Sequence, residues 1–244
     1  MTLLRSLLFN VLFFGWTVVA VFVFLPVLAL PPRTVLRVLR LWAGVIAWLL
    51  RVVAGLDYEV RGRANIPAEP VLFAFKHQSA WETMMFALLV PDFVGVMKRE
   101  LAAIPLIGFY LSRMGMIAID RAGAATALRR MVAQARERLA DGRSIMVAPE
   151  GTRTAPGEHR RYLPGIAALY GALGVPVVPV ALNSGLFWGR RTFIKRPGVI
   201  TVEFLEPIKP GLDRRAFLAE LAGRIEPAAD RLAEEARARY LDAR

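Results

Sequence analysis

The chain has 244 residues, room for one sizeable domain with an appendage, and its hydrophobic share of 56% exceeds that of an ordinary soluble domain. The net charge is +12 and there is no cysteine, which excludes disulfides and thiolate metal sites. Only two histidines are present, far apart and without an acid cluster, so no metal-ligand set is expected.

Residues 7–30 form an apolar run whose clearly polar members are Asn10 and Thr17. At about 1.5 Å rise per residue it is long enough to cross a bilayer core of about 30 Å. Pro26 is placed to kink it, and Pro31-Pro32 to end it. The run exceeds a signal-peptide core of about 7–15 residues, and no A-x-A-like cleavage site follows, so an uncleaved anchor is expected.

Residues 33–54 read as a second helix. On it Arg37, Arg40 and Arg51 fall within about 40° of Arg33, opposite a wide apolar face that includes Trp42 and Trp48. Such a helix suits the headgroup region, with its arginines on lipid phosphates; the alternative is a helix packed on the following domain with its arginines to solvent. Residues 1–56 carry +5 and no acid, which places this flank on the cytoplasmic side of the cell's inner membrane. The remaining basic excess sits on scattered arginines without the aromatic interleaving of a single-strand binder. Anionic membrane lipid is therefore the expected partner, and nucleic acid is not.

After Gly55 short strands alternate with helices. Strands are expected at 57–61, 71–75, 93–97, 116–119, 144–148, 177–182 and 199–204. Helices are expected at 81–90, 122–140, 165–173 and from about Asp213 onward, with a broken helical stretch at 101–113. The alternation predicts an α/β fold, a largely parallel or mixed sheet flanked by helices, over 57–244. Residues 1–56 precede it as a two-helix membrane-binding segment.

His77 follows the strand at 71–75, at the strand end where open α/β sheets place their active sites. If the next helix starts near Ser79, Glu82 lies in its first turn and reaches back to the imidazole. A carboxylate on one ring nitrogen fixes the tautomer and frees the other nitrogen to take a proton from an alcohol. Ser79 fails the G-x-S-x-G test for a serine nucleophile. His159, in the polar loop Glu158-His159-Arg160-Arg161, reads as solvated. The block Glu150-Gly151-Thr152-Arg153 follows the strand at 144–148 and offers a glycine turn, a hydroxyl and a guanidinium fork suited to phosphate. There is no P-loop, so nucleotide hydrolysis has no support.

These blocks, in this order and spacing, resemble the glycerophospholipid acyltransferase family, of the 1-acylglycerol-3-phosphate acyltransferase type. The resemblance spans nearly all of residues 60–210. It runs through His77-x4-Glu82, then Lys98-Arg99-Glu100-Leu101 with Ile104-Pro105, Gly108, Gly115 and Ile119-Asp120-Arg121, then Glu150 to Arg153, and finally residues 175–180. Two positions depart from the family pattern: Glu82 stands where relatives carry aspartate, and Leu163 where they usually carry lysine.

The resemblance implies transfer of a fatty acyl group from acyl-CoA or acyl-carrier protein to the sn-2 hydroxyl of 1-acyl-sn-glycerol 3-phosphate, giving phosphatidate without a cofactor. It implies His77 as base and Glu82 as its orienting acid. Glu150, Gly151, Thr152, Arg153 and Arg121 are implied at the phosphate, with Lys98 and Glu100 as further binding residues. Backbone N–H groups near the start of the first helix are expected at the oxyanion. Met84, Met85, Phe86, Leu106, Ile107 and Phe109 are candidates to line an acyl groove. Leu163 leaves room for another lysolipid acceptor, such as a lyso-ornithine lipid. The same base can also serve thioester hydrolysis.

Overall fold

A computed structural model of the chain describes residues 1–120 and 124–242. Apolar α1 (Thr2–Val23) stops before Pro26, and a short helical turn, Leu25–Ala29, leads to α2 (Pro32–Leu49). Among the described residues, seven strands form one sheet in the order β1-β7-β6-β2-β5-β3-β4. They are β1 (Leu56–Arg61), β2 (Leu72–Phe75), β3 (Phe93–Lys98), β4 (Ile117–Ile119), β5 (Ser144–Val147), β6 (Val177–Leu182) and β7 (Gly198–Phe204). All neighbours are parallel except β6 and β7. The helices are α3 (Trp81–Leu89), α4 (Arg99–Ala102), α5 (Ile107–Arg113), α6 (Ala124–Ala140), α7 (Pro164–Leu173), α8 (Ser184–Phe187) and α9 (Arg214–Ala236).

The alternation of side chains along a strand divides the core in two. Phe73 and Phe75 of β2 join α1, α2 and α3 on one face, whereas Leu72 and Ala74 join α6, α7 and α9 on the other. On the first face Phe86 packs edge-on against Phe73 and Phe93, with ring centroids 5.5 and 5.3 Å apart. Burying each such ring contributes about 1.5–3 kcal/mol. Phe9 of α1 and Val35, Leu36, Ala43 and Ile46 of α2 lie in the same cluster.

The arginine stripe of residues 33–54 makes contacts to the α/β domain. Arg33 pairs with Asp92 at 3.2 Å, Arg51 pairs with Asp57 at 3.4 Å, and Arg40 donates to the Ala87 and Val90 carbonyls. Those carbonyls are at the C-terminal end of α3, where a helix leaves acceptors unpaired and a cation is favoured. Three of the four arginines thus tie residues 33–54 to the α/β domain, although Arg33 and Arg51 keep most of their side chains exposed. The exposed side of residues 33–54 also carries Leu41, Trp48 and Val52. On α1, Leu7, Val11, Phe14, Val18 and Phe22 are exposed, and the helix is long and apolar enough to cross a membrane.

Gly108 is required where α4 turns into α5, because a Cβ there would lie 2.0 Å from the Ala102 carbonyl oxygen.

Candidate active site

β2 and β5 are adjacent and parallel, with Leu72 opposite Ile145 and Ala74 opposite Val147. The two chemistry-bearing blocks therefore leave the same edge of the sheet side by side. The chain turns after β2 and α3 starts at Trp81, so Glu82 lies in its first turn. Glu82 is 1% exposed, and its Oε1 accepts from His77 Nδ1 at 2.9 Å and from the Gln78 and Ser79 amides at 2.7 and 2.6 Å. Its Oε2 accepts from Ser184 Oγ at 2.8 Å. Each partner is a donor, so His77 carries its proton on Nδ1 and presents the Nε2 lone pair. The longer glutamate side chain reaches the imidazole and both amides.

The second block fixes the histidine from the other side. Glu150 Oε2 accepts from the His77 amide at 2.9 Å, and the Thr154 amide donates to the His77 carbonyl at 2.8 Å. Thr154 Oγ1 closes the loop on Glu150 Oε1 at 2.9 Å. Gly151 makes the turn with φ of +66°, a left-handed conformation that favours glycine. Arg153 is half-buried and adjacent in the chain to the threonine that grips His77, so its backbone is held against the His77 loop.

Glu150 is corrected from a phosphate ligand to an inward brace. It is 4% exposed, and its Oε1 lies 2.5 Å from Lys76 Nζ. A buried carboxylate committed to a lysine, an amide and a hydroxyl has no donor to give an anion. Lys76 itself is 2% exposed and pairs with Glu226 of α9 at 2.7 Å, and Tyr162 donates to Glu226 Oε1 at 2.7 Å. Burial raises the Glu150 carboxyl above the ordinary glutamate range, against the pull of Lys76. Burial also raises the Tyr162 phenol, helped by its hydrogen bond to Glu226.

Other expectations fared unevenly. Lys98 and Glu100 are exposed at the end of β3, on the same sheet edge as His77 but with β5 between them. Glu100 lines a surface cleft with Arg99 and Asp120, and Arg99 pairs with Asp120 at 2.9 Å. Arg121 lies outside the described residues. The amides of His77, Gln78, Ser79 and Trp81 are taken by Glu150, Glu82 and Ser79 Oγ, so the expected oxyanion donor is not among these four. Met85 and Phe86 are core, whereas Ile107 and Phe109 are exposed. His159 is half-exposed and pairs with Asp230 at 2.8 Å.

Sequence reasoning missed Lys76, Thr154, Ser184 and Glu226. Lys76 had a signal: by the strand's period of two it shares a face with Leu72 and Ala74, where an unpaired ammonium is not tolerated.

The model of the Acyltransferase family matches residues 57–183. A Pseudomonas aeruginosa protein named 1-acyl-sn-glycerol-3-phosphate acyltransferase is 38% identical over 226 residues, covering 92% of this chain and 87% of that one. A second P. aeruginosa protein, named lyso-ornithine lipid O-acyltransferase, is 31% identical and covers 74% of each chain. The crystal structure of the 1-acyl-sn-glycerophosphate (LPA) acyltransferase PlsC from Thermotoga maritima shares the fold. Its TM-score is 0.78 at 22% identity, over 95% of this chain and 98% of that one.

Proposed function

The chain belongs to the acyltransferase family, and from that premise we propose that it acylates the sn-2 hydroxyl of 1-acyl-sn-glycerol 3-phosphate to give phosphatidate. The observation that carries the proposal is the His77–Glu82 pair at 2.9 Å, braced by Glu150 beside Arg153. His77 Nε2 takes the proton of the acceptor hydroxyl as its oxygen attacks the thioester carbonyl of acyl-CoA or acyl-carrier protein. The new C–O bond forms, the C–S bond breaks, and the proton passes to the leaving thiolate. Glu82 stabilises the transient imidazolium. No acyl-enzyme is needed, in keeping with the failed serine-nucleophile motif. Arg153 and Thr152, on the glycine turn, hold the acceptor phosphate.

The membrane supplies this substrate. The 22-residue α1, with mean hydropathy 2.2, supports a location at a bilayer where the lysolipid already has its chain. The five arginines of residues 1–56, without an acid, favour a catalytic domain on the cytoplasmic side of the inner membrane.

Exposed Leu163 and the lyso-ornithine lipid relative support a second reading, in which the acceptor lacks a phosphate. The test is a purified, detergent-solubilised enzyme given labelled acyl thioester and a panel of lysolipids. Labelled phosphatidate as the main product supports the first reading. Preference for a phosphate-free acceptor sinks it.

A further inference from the structure

Residues 188–196 read Trp-Gly-Arg-Arg-Thr-Phe-Ile-Lys-Arg, four cations without an acid, and lie beyond the stretch matched by the family model. The segment leading into this loop starts at the catalytic carboxylate. Ser184 Oγ donates to Glu82 Oε2 at 2.8 Å, and the Gly185 amide donates to Gln78 Oε1 at 3.0 Å. Past α8 the chain turns tightly, and Arg190 Nη1 donates to the Arg153 carbonyl at 3.4 Å. That contact sets a second guanidinium beside the Glu150–Arg153 turn. Among the described residues nothing takes up Arg190 Nε or Nη2, so both remain available to a ligand.

The turn is held in a costly shape. Arg191 has φ of +56°, in the left-handed region, and Thr192 Oγ1 staples the turn to the Gly189 and Ile194 carbonyls at 3.0 and 3.3 Å. The far end is fastened to α1. The Lys195 amide donates to Ser6 Oγ at 2.9 Å, Lys195 Nζ donates to Asn10 Oδ1 at 3.0 Å, and Asn10 Nδ2 donates to the Phe193 carbonyl at 3.2 Å. The Lys195 ammonium also sits 4.6 Å from the Trp188 ring centroid. Between these fixed ends Phe193 and Ile194 are exposed, beside the apolar helix. One loop thus joins the apolar helix α1 to the rim of the active site, with Arg190 at the rim, Lys195 fastened to α1 and two exposed apolar side chains between.

We infer that this loop reads the phosphate of the acceptor, with Arg190 as a second guanidinium that shares the phosphate with Arg153. The inference rests on the proposed phosphorylated acceptor. A phosphate dianion is held best by paired guanidinium forks, which offer several charge-assisted hydrogen bonds in fixed geometry. The same chemistry would suit the phosphates of a CoA donor. The loop's attachment to α1 and its apolar tip favour the lipid acceptor, whose headgroup sits at that level of a bilayer.

The test compares the full-length wild type, Arg190→Gln and Arg190→Lys in mixed micelles, with kcat and the KM of each substrate measured separately. Arg190→Gln is expected to raise the KM for 1-acyl-sn-glycerol 3-phosphate about tenfold, the effect of one lost charge-assisted hydrogen bond. The kcat should stay within about twofold and the donor KM should not move. Arg190→Lys should recover part of the loss. An unchanged acceptor KM overturns the inference, and so does a rise confined to the donor or an equal rise with a phosphate-free acceptor. A wild type that makes phosphatidate beside such a result leaves the proposed function standing. A wild type that uses only phosphate-free acceptors removes the function and the role of Arg190 together.

Discussion

Lys76→Met removes the lysine that bridges two carboxylates of a buried network and keeps the length of the strand side chain. Lys76 Nζ lies 2.5 Å from Glu150 and 2.7 Å from Glu226, with side-chain exposures of 2%, 0% and 11%. Methionine leaves Glu150 without a cation, whereas Glu226 keeps Tyr162 and the half-exposed His159. Removing one partner of a buried ion pair costs about 3–5 kcal/mol. In a chain of this size each kcal/mol moves the melting temperature by about 2–4 °C, so a fall of about 6–20 °C is expected. Part of the loss should return in Lys76→Met/Glu226→Gln, which removes one of the two carboxylates.

The pH dependence has a fixed sign. Burial already raises the Glu150 carboxyl, and losing Lys76 raises it further. The folded variant then holds a proton that the unfolded chain releases, so its deficit against wild type shrinks as pH falls below the raised value and is full at neutral pH. Thermal melts followed by circular dichroism at about pH 5 and pH 7.5 read both effects. A melting temperature within about 2 °C of wild type at neutral pH would refute the reasoning, since an isolated buried carboxylate cannot be that cheap.

Substitutions at two further positions probe the base and the attachment of α1. Glu82→Gln keeps the size but loses the charge that stabilises the imidazolium, and kcat should fall about 100-fold or more. Glu82→Asp withdraws the carboxylate from donors that are 2.6–2.9 Å away and should cost about tenfold; turnover equal to wild type in either variant would contradict the assigned role. Burial lowers the Lys195 ammonium to about 8 from its ordinary 10.5. Below about pH 8 it is charged in both the folded and unfolded states and its burial cost is full; above that the folded state sheds the proton first, so stability rises toward about pH 10. The melting temperature of wild type relative to Lys195→Met should therefore improve between about pH 7 and pH 9.5, and a gap that does not move would put the lysine in water.

Much of the site was legible because it depends on order along the chain. Two apolar strands each ending in a polar block, one with histidine and one with a glycine turn, are enough to place both blocks at one sheet edge. The parallel pairing of β2 and β5 makes them neighbours. What lay hidden depends on contacts distant in sequence. Glu226 is 150 residues from Lys76, and nothing in the composition of α9 marks that glutamate among its other acids. Glu150 was read as a ligand from its place in a block, whereas its side chain is turned into the protein by a lysine the block does not contain. The arginines of residues 33–54 show the same limit. A helical projection gives their common face, but the free carbonyls of α3 and the acids Asp92 and Asp57 decide what that face meets.

The central claim is that His77, oriented by Glu82, activates the hydroxyl of a phosphorylated lysolipid for direct attack on a thioester. Thioester consumption with and without 1-acyl-sn-glycerol 3-phosphate, in wild type and His77→Ala, tests it most directly. The account predicts consumption by wild type only when the acceptor is present, equal to the phosphatidate formed, and a loss of about 10³-fold or more in His77→Ala. Equal turnover by the two proteins, or thioester consumed without acceptor, would contradict it.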